Sequence, residues 1–91
     1  MKVKINEEGY LIIPAEISEK FFNTFSISVV YKENQLIVYP VKEEAGGIIL
    51  KYKNSKGDRS ALIKEFLPPD FKPSEKIAVW NENLNALLIN I

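Results

Sequence analysis

The second half of the chain contains one cluster of residues whose types and spacing suit anion binding. The stretch 51–59 reads KYKNSKGDR, and its basic residues are Lys51, Lys53, Lys56 and Arg59. Lysine neutralises a phosphate as a point charge, whereas arginine can hold a phosphate, a guanine edge or a carboxylate through two parallel hydrogen bonds. These four residues are therefore the candidate nucleic-acid-binding site.

A structural interpretation of the same cluster stays open. Lysines on an exposed strand protect its edge against aggregation, and Arg59 has an acidic neighbour, Asp58, with which it can pair locally. The aromatic residues Tyr10, Tyr31, Tyr39 and Trp80 also have two interpretations. Aromatic rings between lysines can stack on bases, but their spacing favours packing between strands, with Trp80 as a half-buried anchor.

Catalytic chemistry has few residues to use. The chain contains no histidine and no cysteine, which removes imidazole and thiol mechanisms, and it shows no glycine-rich phosphate loop and no nucleophile elbow. The acid pairs Glu7-Glu8 and Glu43-Glu44 lie in turn-like stretches, where neighbouring side chains point apart. The sequence therefore predicts a protein that is not an enzyme and that carries no metal and no cofactor.

Size and composition indicate one small globular domain covering residues 1–91. The chain has zero net charge and is 46% hydrophobic, which is typical of an ordered protein. The lack of cysteine and the lack of a signal-like or membrane-spanning apolar run predict a cytoplasmic protein. Residues 1–45 hold five lysines against seven acids, and residues 46–91 hold seven basic residues against five acids, so the second half favours anions.

The elements that would position the candidate site are mostly strands. In the first half, alternation predicts strands at KVKI and YLII around a turn that contains Gly9, and Pro14 then starts a short helix that ends near Asn23. The apolar spacing of Ile17, Phe21 and Phe25 predicts one buried helical stripe. SISVVYK and QLIVYPV form a hairpin around a Glu-Asn turn.

The second half starts after a polar joint, residues 42–47. IILKYK and RSALIKEFL predict a hairpin in which Ile48, Leu50 and Tyr52 share one face. The stretch PPDFKPSE is too rich in proline for a strand and has room for at most one helical turn. A last hairpin pairs KIAVW with ALLINI, whose side chains predicted to be buried are Leu87, Ile89 and Ile91.

The two halves share one order of elements, which predicts repeat units at 1–41 and 48–91. The matching features are Gly9 with Gly57, Pro14 with Pro68 or Pro69, and VVYKEN with AVWNEN. The alternative is that two hairpin-rich halves match by coincidence.

Residues 2–41 resemble the swapped-hairpin family of AbrB, SpoVT and MraZ-like proteins. The matching features are Glu7, Glu8 and Gly9, then LIIP, then Glu16 and Ile17, then SVVYKENQLIVYPV. The resemblance implies a mainly β fold with one short helix, a small barrel in which two β-β-α-β units interleave their hairpins. In AbrB-like members two chains supply the units, and in MraZ-like members one chain supplies both.

The resemblance also implies a DNA-binding transcription regulator or antitoxin-type module. The family usually has an arginine after the glycine and another in the helix, whereas this chain has Tyr10 and Ser18 or Glu19 there. The expected DNA contact is therefore the 51–59 hairpin. The alternative function is a protein-interaction or assembly module that has kept the barrel without DNA contacts, and the chain is either a monomer with an internal repeat or a homodimer.

Overall fold

Strands make up most of the computed structural model, which describes residues 1–42 and 46–91. The helix α1 spans Ala15–Phe21, and a 3-10 helix spans Lys64–Phe66. The strands are β1 Lys2–Ile5, β2 Tyr10–Ile13, β3 Ser26–Lys32, β4 Gln35–Val41, β5 Ile48–Ile49, β6 Lys51–Tyr52, β7 Arg59–Leu62, β8 Ser74–Asn81 and β9 Ala86–Asn90. The predicted mainly β fold with one short helix is confirmed. The acid pair Glu43-Glu44 lies outside the described residues.

The strands form one nearly closed antiparallel barrel. Their order is β5-β3-β4-β9-β8-β1-β2-β7-β6, and its two ends, β5 and β6, are separated along the chain by Leu50 alone. The Leu50 N–H leaves the strand ladder and donates to the carbonyl oxygen of Phe25 at 2.9 Å. The segment 48–52 therefore pairs with β3 through its first part and with β7 through its second part, which closes the ring.

This kink corrects one sequence prediction. Ile48, Leu50 and Tyr52 were expected to share a face, but Leu50 is buried and the Tyr52 side chain is 68% exposed. A strand that changes its partner from one neighbour to another must bend, and the bend at Leu50 interrupts the alternation of faces.

The core is filled by alternate residues of the long strands. Its fully buried members include Ile5, Leu11, Ile13, Ile27, Leu36, Val38, Leu87 and Ile89. Burial of each such side chain contributes about 1.5–3 kcal/mol. The predicted burial of Leu87 and Ile89 is confirmed, and Ile91 is half-buried against the core.

The apolar stripe predicted for α1 is partly wrong. Ile17 is buried and Phe21 is half-buried as expected, but the Phe25 side chain is 77% exposed. The helix ends at Phe21, and Phe22 is its C-cap, so helical spacing no longer applies four residues later. The fully buried Phe22 takes the core position that was assigned to Phe25.

The two halves of the chain interleave their hairpins. The β1–β2 hairpin lies between β8 and β7 of the other half, and β4 pairs with β9. Exchanging β1 with β5 and β6, β2 with β7, β3 with β8, and β4 with β9 reproduces the same ring of neighbours. The strand pairing therefore has an approximate two-fold symmetry, while the duplication of the sequence stays a prediction.

The register of the hairpins gives matched positions in the two halves. Tyr31 in β3 lies opposite Leu36, and Trp80 in β8 lies opposite Leu87. This is the match predicted from VVYKEN and AVWNEN. The first hairpin turns through two residues, Glu33-Asn34, with φ of 52° and 64°, the two left-handed residues of a type I′ turn. The second turns through 82–85 and is longer.

The turns that precede β2 and β7 have the same hydrogen bonds. In each, an asparagine side-chain oxygen accepts from the N–H groups two and four residues later, at 3.1 and 2.9 Å for Asn6 and at 3.1 and 3.3 Å for Asn54. In each, the glycine N–H donates to the carbonyl oxygen of that asparagine, from Gly9 at 3.1 Å and from Gly57 at 3.5 Å. Such asparagine turns stabilise a loop locally.

Each of these turns docks on the helix of the other half. The Gly9 oxygen accepts from the Ile63 N–H at 2.9 Å, and a Cβ at Gly9 would lie 2.5 Å from the Cβ of Lys64. The Gly57 oxygen accepts from the Ser18 hydroxyl at 3.1 Å. The close approach and the positive φ of +86° together explain why position 9 requires glycine.

Candidate functional site

Three of the four predicted site residues lie on the surface of one hairpin. Lys51 lies in β6, and Lys53 and Lys56 lie in the turn that follows it. All three side chains are exposed. The Lys53 N–H donates to the Asp58 carbonyl oxygen at 2.7 Å, which holds the base of the turn closed.

Arg59 does not join the three lysines at the surface. It occupies an inward position of β7, in phase with the buried Ala61, and is 3% exposed. Its Nη1 donates to the Phe22 carbonyl oxygen at 3.1 Å. Its Nη2 donates to the carbonyl oxygens of Thr24 and Leu50 at 2.7 and 2.8 Å. The guanidinium is thus committed to the barrel interior rather than to a partner's phosphates.

The buried charge of Arg59 is stabilised by dipoles and by an aromatic ring. The Phe22 carbonyl lies at the C-terminal end of α1, where the helix dipole is negative and favours a cation. The Tyr52 ring centroid lies 4.3 Å from the guanidinium carbon, within the range of a cation–π interaction. The Nε atom is buried without a hydrogen-bond partner, so the N–H donors at the tip of the side chain supply the contacts.

Asp58 caps α1 from the other half of the chain. Pro14, at the N-cap position, makes no side-chain capping bond. The Asp58 Oδ1 atom instead accepts the Ala15 N–H at 2.8 Å, and its Oδ2 atom accepts from the Asn54 side-chain amide at 3.0 Å. The local pairing of Asp58 with Arg59, which the structural interpretation allowed, is therefore replaced by two separate roles: Asp58 caps α1 and Arg59 binds the backbone where the ring closes.

The environment of Asp58 favours its charged form. Hydrogen bonds from the Asn54 side chain and from the Ala15 N–H lower the pKa of the Asp58 carboxyl, and the charges of Lys56 and Lys53 lower it further. Two of the three surface lysines, Lys56 and Lys53, therefore favour the charged form of an acid within their own turn.

Tyr10, Ser18 and Glu19 are the residues that the resemblance matched with arginine positions, and two of them have structural roles in this fold. Ser18 is 2% exposed, and its hydroxyl donates a hydrogen bond to the Gly57 carbonyl oxygen. Tyr10 is half-buried in β2, and its N–H is held by Asn6. Glu19 is exposed and acidic, which repels a phosphate backbone.

The outer face of the barrel carries an apolar row that sequence reasoning missed. Val30 lies opposite Ile37, Ile37 lies opposite Leu88, and Leu88 lies opposite Val79. Val30 and Val79 are 43% and 57% exposed, and the two inner members are half-buried. We call these four residues the outer row. The sequence indicates this row where apolar residues occupy consecutive strand positions, as the two valines of SISVVYK do, because one of the two must face outward.

Within the described part of the chain, no three acidic side chains come together as a metal site. Neither helix of residues 1–42 and 46–91 is long and apolar enough to cross a bilayer. Comparison of the chain with protein-family models, with curated proteins and with solved structures finds no match.

Arg59→Lys is expected to destabilise the protein by about 3 kcal/mol, because a single ammonium cannot reach all three carbonyl oxygens and charged hydrogen bonds contribute about 1.5–3 kcal/mol each. Urea unfolding followed by tryptophan fluorescence measures the loss. The control Lys51→Gln changes an exposed side chain and should stay within about 0.5 kcal/mol of the parent. Equal stability of the two variants would contradict the closure role of Arg59.

The lowered pKa of Asp58 predicts a dependence of stability on pH. The unfolded carboxyl has the ordinary value of 3.8 and the folded one lies below it, so this contribution is complete well above pH 3.8 and is lost as the pH falls through the folded pKa. Asp58→Asn should be less stable at neutral pH and should lose less stability on acidification than the parent. Unfolding curves at a series of acidic pH values measure both slopes, and parallel slopes would contradict the assignment.

Proposed function

We propose that this chain is a non-catalytic protein-interaction module that presents the outer row of its barrel to a protein partner. The observation that carries the proposal is the outer row itself, Val30, Ile37, Leu88 and Val79, which crosses four neighbouring strands on the outside. Contiguous exposed apolar patches on a small protein mark interaction sites.

The location of the basic groups supports this proposal. The only arginine of the chain is buried, and the net charge is zero. A protein that grips duplex DNA neutralises several phosphates with surface lysines and arginines. The strand pairing agrees with what the resemblance to the AbrB, SpoVT and MraZ-like family implies, so we propose membership of a branch that kept the barrel without the usual DNA contacts.

Partner addition to a strand edge has little support in this fold. The barrel is nearly closed, because β5 and β6 are parts of one segment that pairs with strands on both sides. An extended peptide needs an unpaired edge to add a strand. We therefore propose that a partner packs on side chains of the outer row.

Cross-linking tests the interaction function directly. A photoreactive amino acid at position 79 should cross-link one protein species in cells of the native source, whereas the same group at the exposed position 8 should not. Val79→Lys should weaken binding of the purified, identified partner at least about tenfold, since central apolar contacts contribute most of the binding energy. Its folding stability should change by about 0.5 kcal/mol or less. The same set of cross-linked proteins from positions 79 and 8 would overturn the proposal.

A second function, DNA binding by a regulator or antitoxin-type module, is favoured by one observation: Lys51, Lys53 and Lys56 are exposed on one hairpin. Fluorescence anisotropy with random duplex DNA at low salt tests it. This function predicts a dissociation constant of roughly 1–100 µM at physiological salt and tighter binding at low salt, and binding should be lost when all three lysines are changed to glutamine.

The control for the DNA test changes three other exposed lysines, Lys2, Lys4 and Lys32, to glutamine. DNA binding through the 51–56 hairpin predicts that this variant binds like the parent. Equal weakening in both triple variants would indicate diffuse charge attraction without a site, and absence of binding by the parent would exclude the function.

A further inference from the structure

The aromatic residue at the matched position of the second half is covered by a helix. Trp80 stacks on Phe21, with ring centroids 4.3 Å apart and planes 14° apart. Phe22 meets the same ring edge-on at 6.0 Å. The seven-residue helix α1 thus seals the side of β8 with aromatic contacts.

The matched residue of the first half, Tyr31, lacks such a cover. The helix that corresponds to α1 in the other half has only three residues, Lys64–Phe66. Tyr31 is 39% exposed, and within residues 1–42 and 46–91 the aromatic pairs are those of Trp80. Its hydroxyl donates to the Asn34 side-chain oxygen at 3.1 Å, which fixes the orientation of the ring.

A groove of about 280 Å³ lies beside Tyr31, between its hairpin and the segment 68–76. Its apolar part is formed by Tyr31, Phe71, Pro68 and Ile91. Aromatic and proline surfaces of this kind accept a flat ring, and offset or edge-on pairs contribute about 0.5–1.5 kcal/mol beyond the area they bury.

The charged rim of the groove selects the partner's sign. Lys72 and Lys76 line it together with one acid, Asp70. Lys76 is half-buried and lies opposite Val3 in the strand pairing, and it lines the same groove as Tyr31 and Phe71. Two lysines against one acid give the rim an excess of positive charge, which attracts a carboxylate.

We infer that this groove is a docking site for an acidic segment of a protein partner that carries an aromatic side chain. The partner's ring would pack on Tyr31 as Phe21 packs on Trp80, and its carboxylates would face Lys72 and Lys76. The inference rests on the proposed interaction function and adds to it a second contact surface with a defined chemistry.

NMR titration of the ¹⁵N-labelled full chain tests the inference. The probe is a five-residue capped peptide with one tryptophan between two pairs of glutamates. Resonances of Tyr31, Phe71, Lys72 and Lys76 should shift, with a dissociation constant on the order of 1 mM. A peptide with alanine for tryptophan, and one with lysines for glutamates, should each bind at least about threefold more weakly. Shifts spread over the barrel, or none at 5-fold peptide excess (about 5 mM), would overturn the inference.

Matched variants separate the groove from the rest of the surface. Lys76→Gln should weaken binding of the glutamate peptide about threefold, the effect of one partly exposed charge pair, whereas Lys51→Gln should leave it unchanged. Equal effects would overturn the inference in favour of general charge attraction. Cross-linking from position 79 does not involve the groove, so its success beside a failed titration would retain the interaction function and reject the groove.

Discussion

The buried guanidinium of Arg59 is the contact on which closure of the barrel depends. Its three hydrogen bonds reach the end of α1, the loop before β3 and the kink at Leu50. These three pieces of chain meet where the strand ladder changes partner, and there backbone carbonyls would otherwise be buried without donors. Buried polar groups are costly unless they are paired. The Arg59 guanidinium therefore supplies hydrogen bonds to backbone carbonyl oxygens that have no partner in the sheet at this point.

A second constraint couples the two halves. Each asparagine–glycine turn lies on the helix of the opposite half, and Asp58 supplies the capping bond that Pro14 cannot make. Neither half completes its helix ends alone, because the partners of those ends come from the other half. Ser18 and Asp58 are therefore engaged in contacts between the two halves.

Much of this fold could be predicted from local patterns. Alternation located most of the strands, and Gly9 and Pro14 located the turn and the helix start, because these features depend on nearby residues. The strand predicted over RSALIKEFL was too long, since β7 ends at Leu62 and Lys64–Phe66 form a 3-10 helix. The inward orientation of the Arg59 side chain and the kink at Leu50 could not be predicted, since both depend on which distant strands close the ring. Phe25 was misplaced for a related reason: the helix ends where Phe22 enters the core, and tertiary packing fixed that point. The lysines were located correctly on one hairpin, but the use of the arginine required the three-dimensional structure.

The interleaved strand order also has a consequence for folding during synthesis on the ribosome. β1 takes its place between β2 and β8, and β4 takes its place beside β9. Both of these neighbours, β8 and β9, are translated after residue 73. Pairings between residues far apart in sequence form slowly, because a long loop must be ordered first. During synthesis, the apolar faces of β1 and β4 therefore stay without these partners until residues 74–90 have left the ribosome.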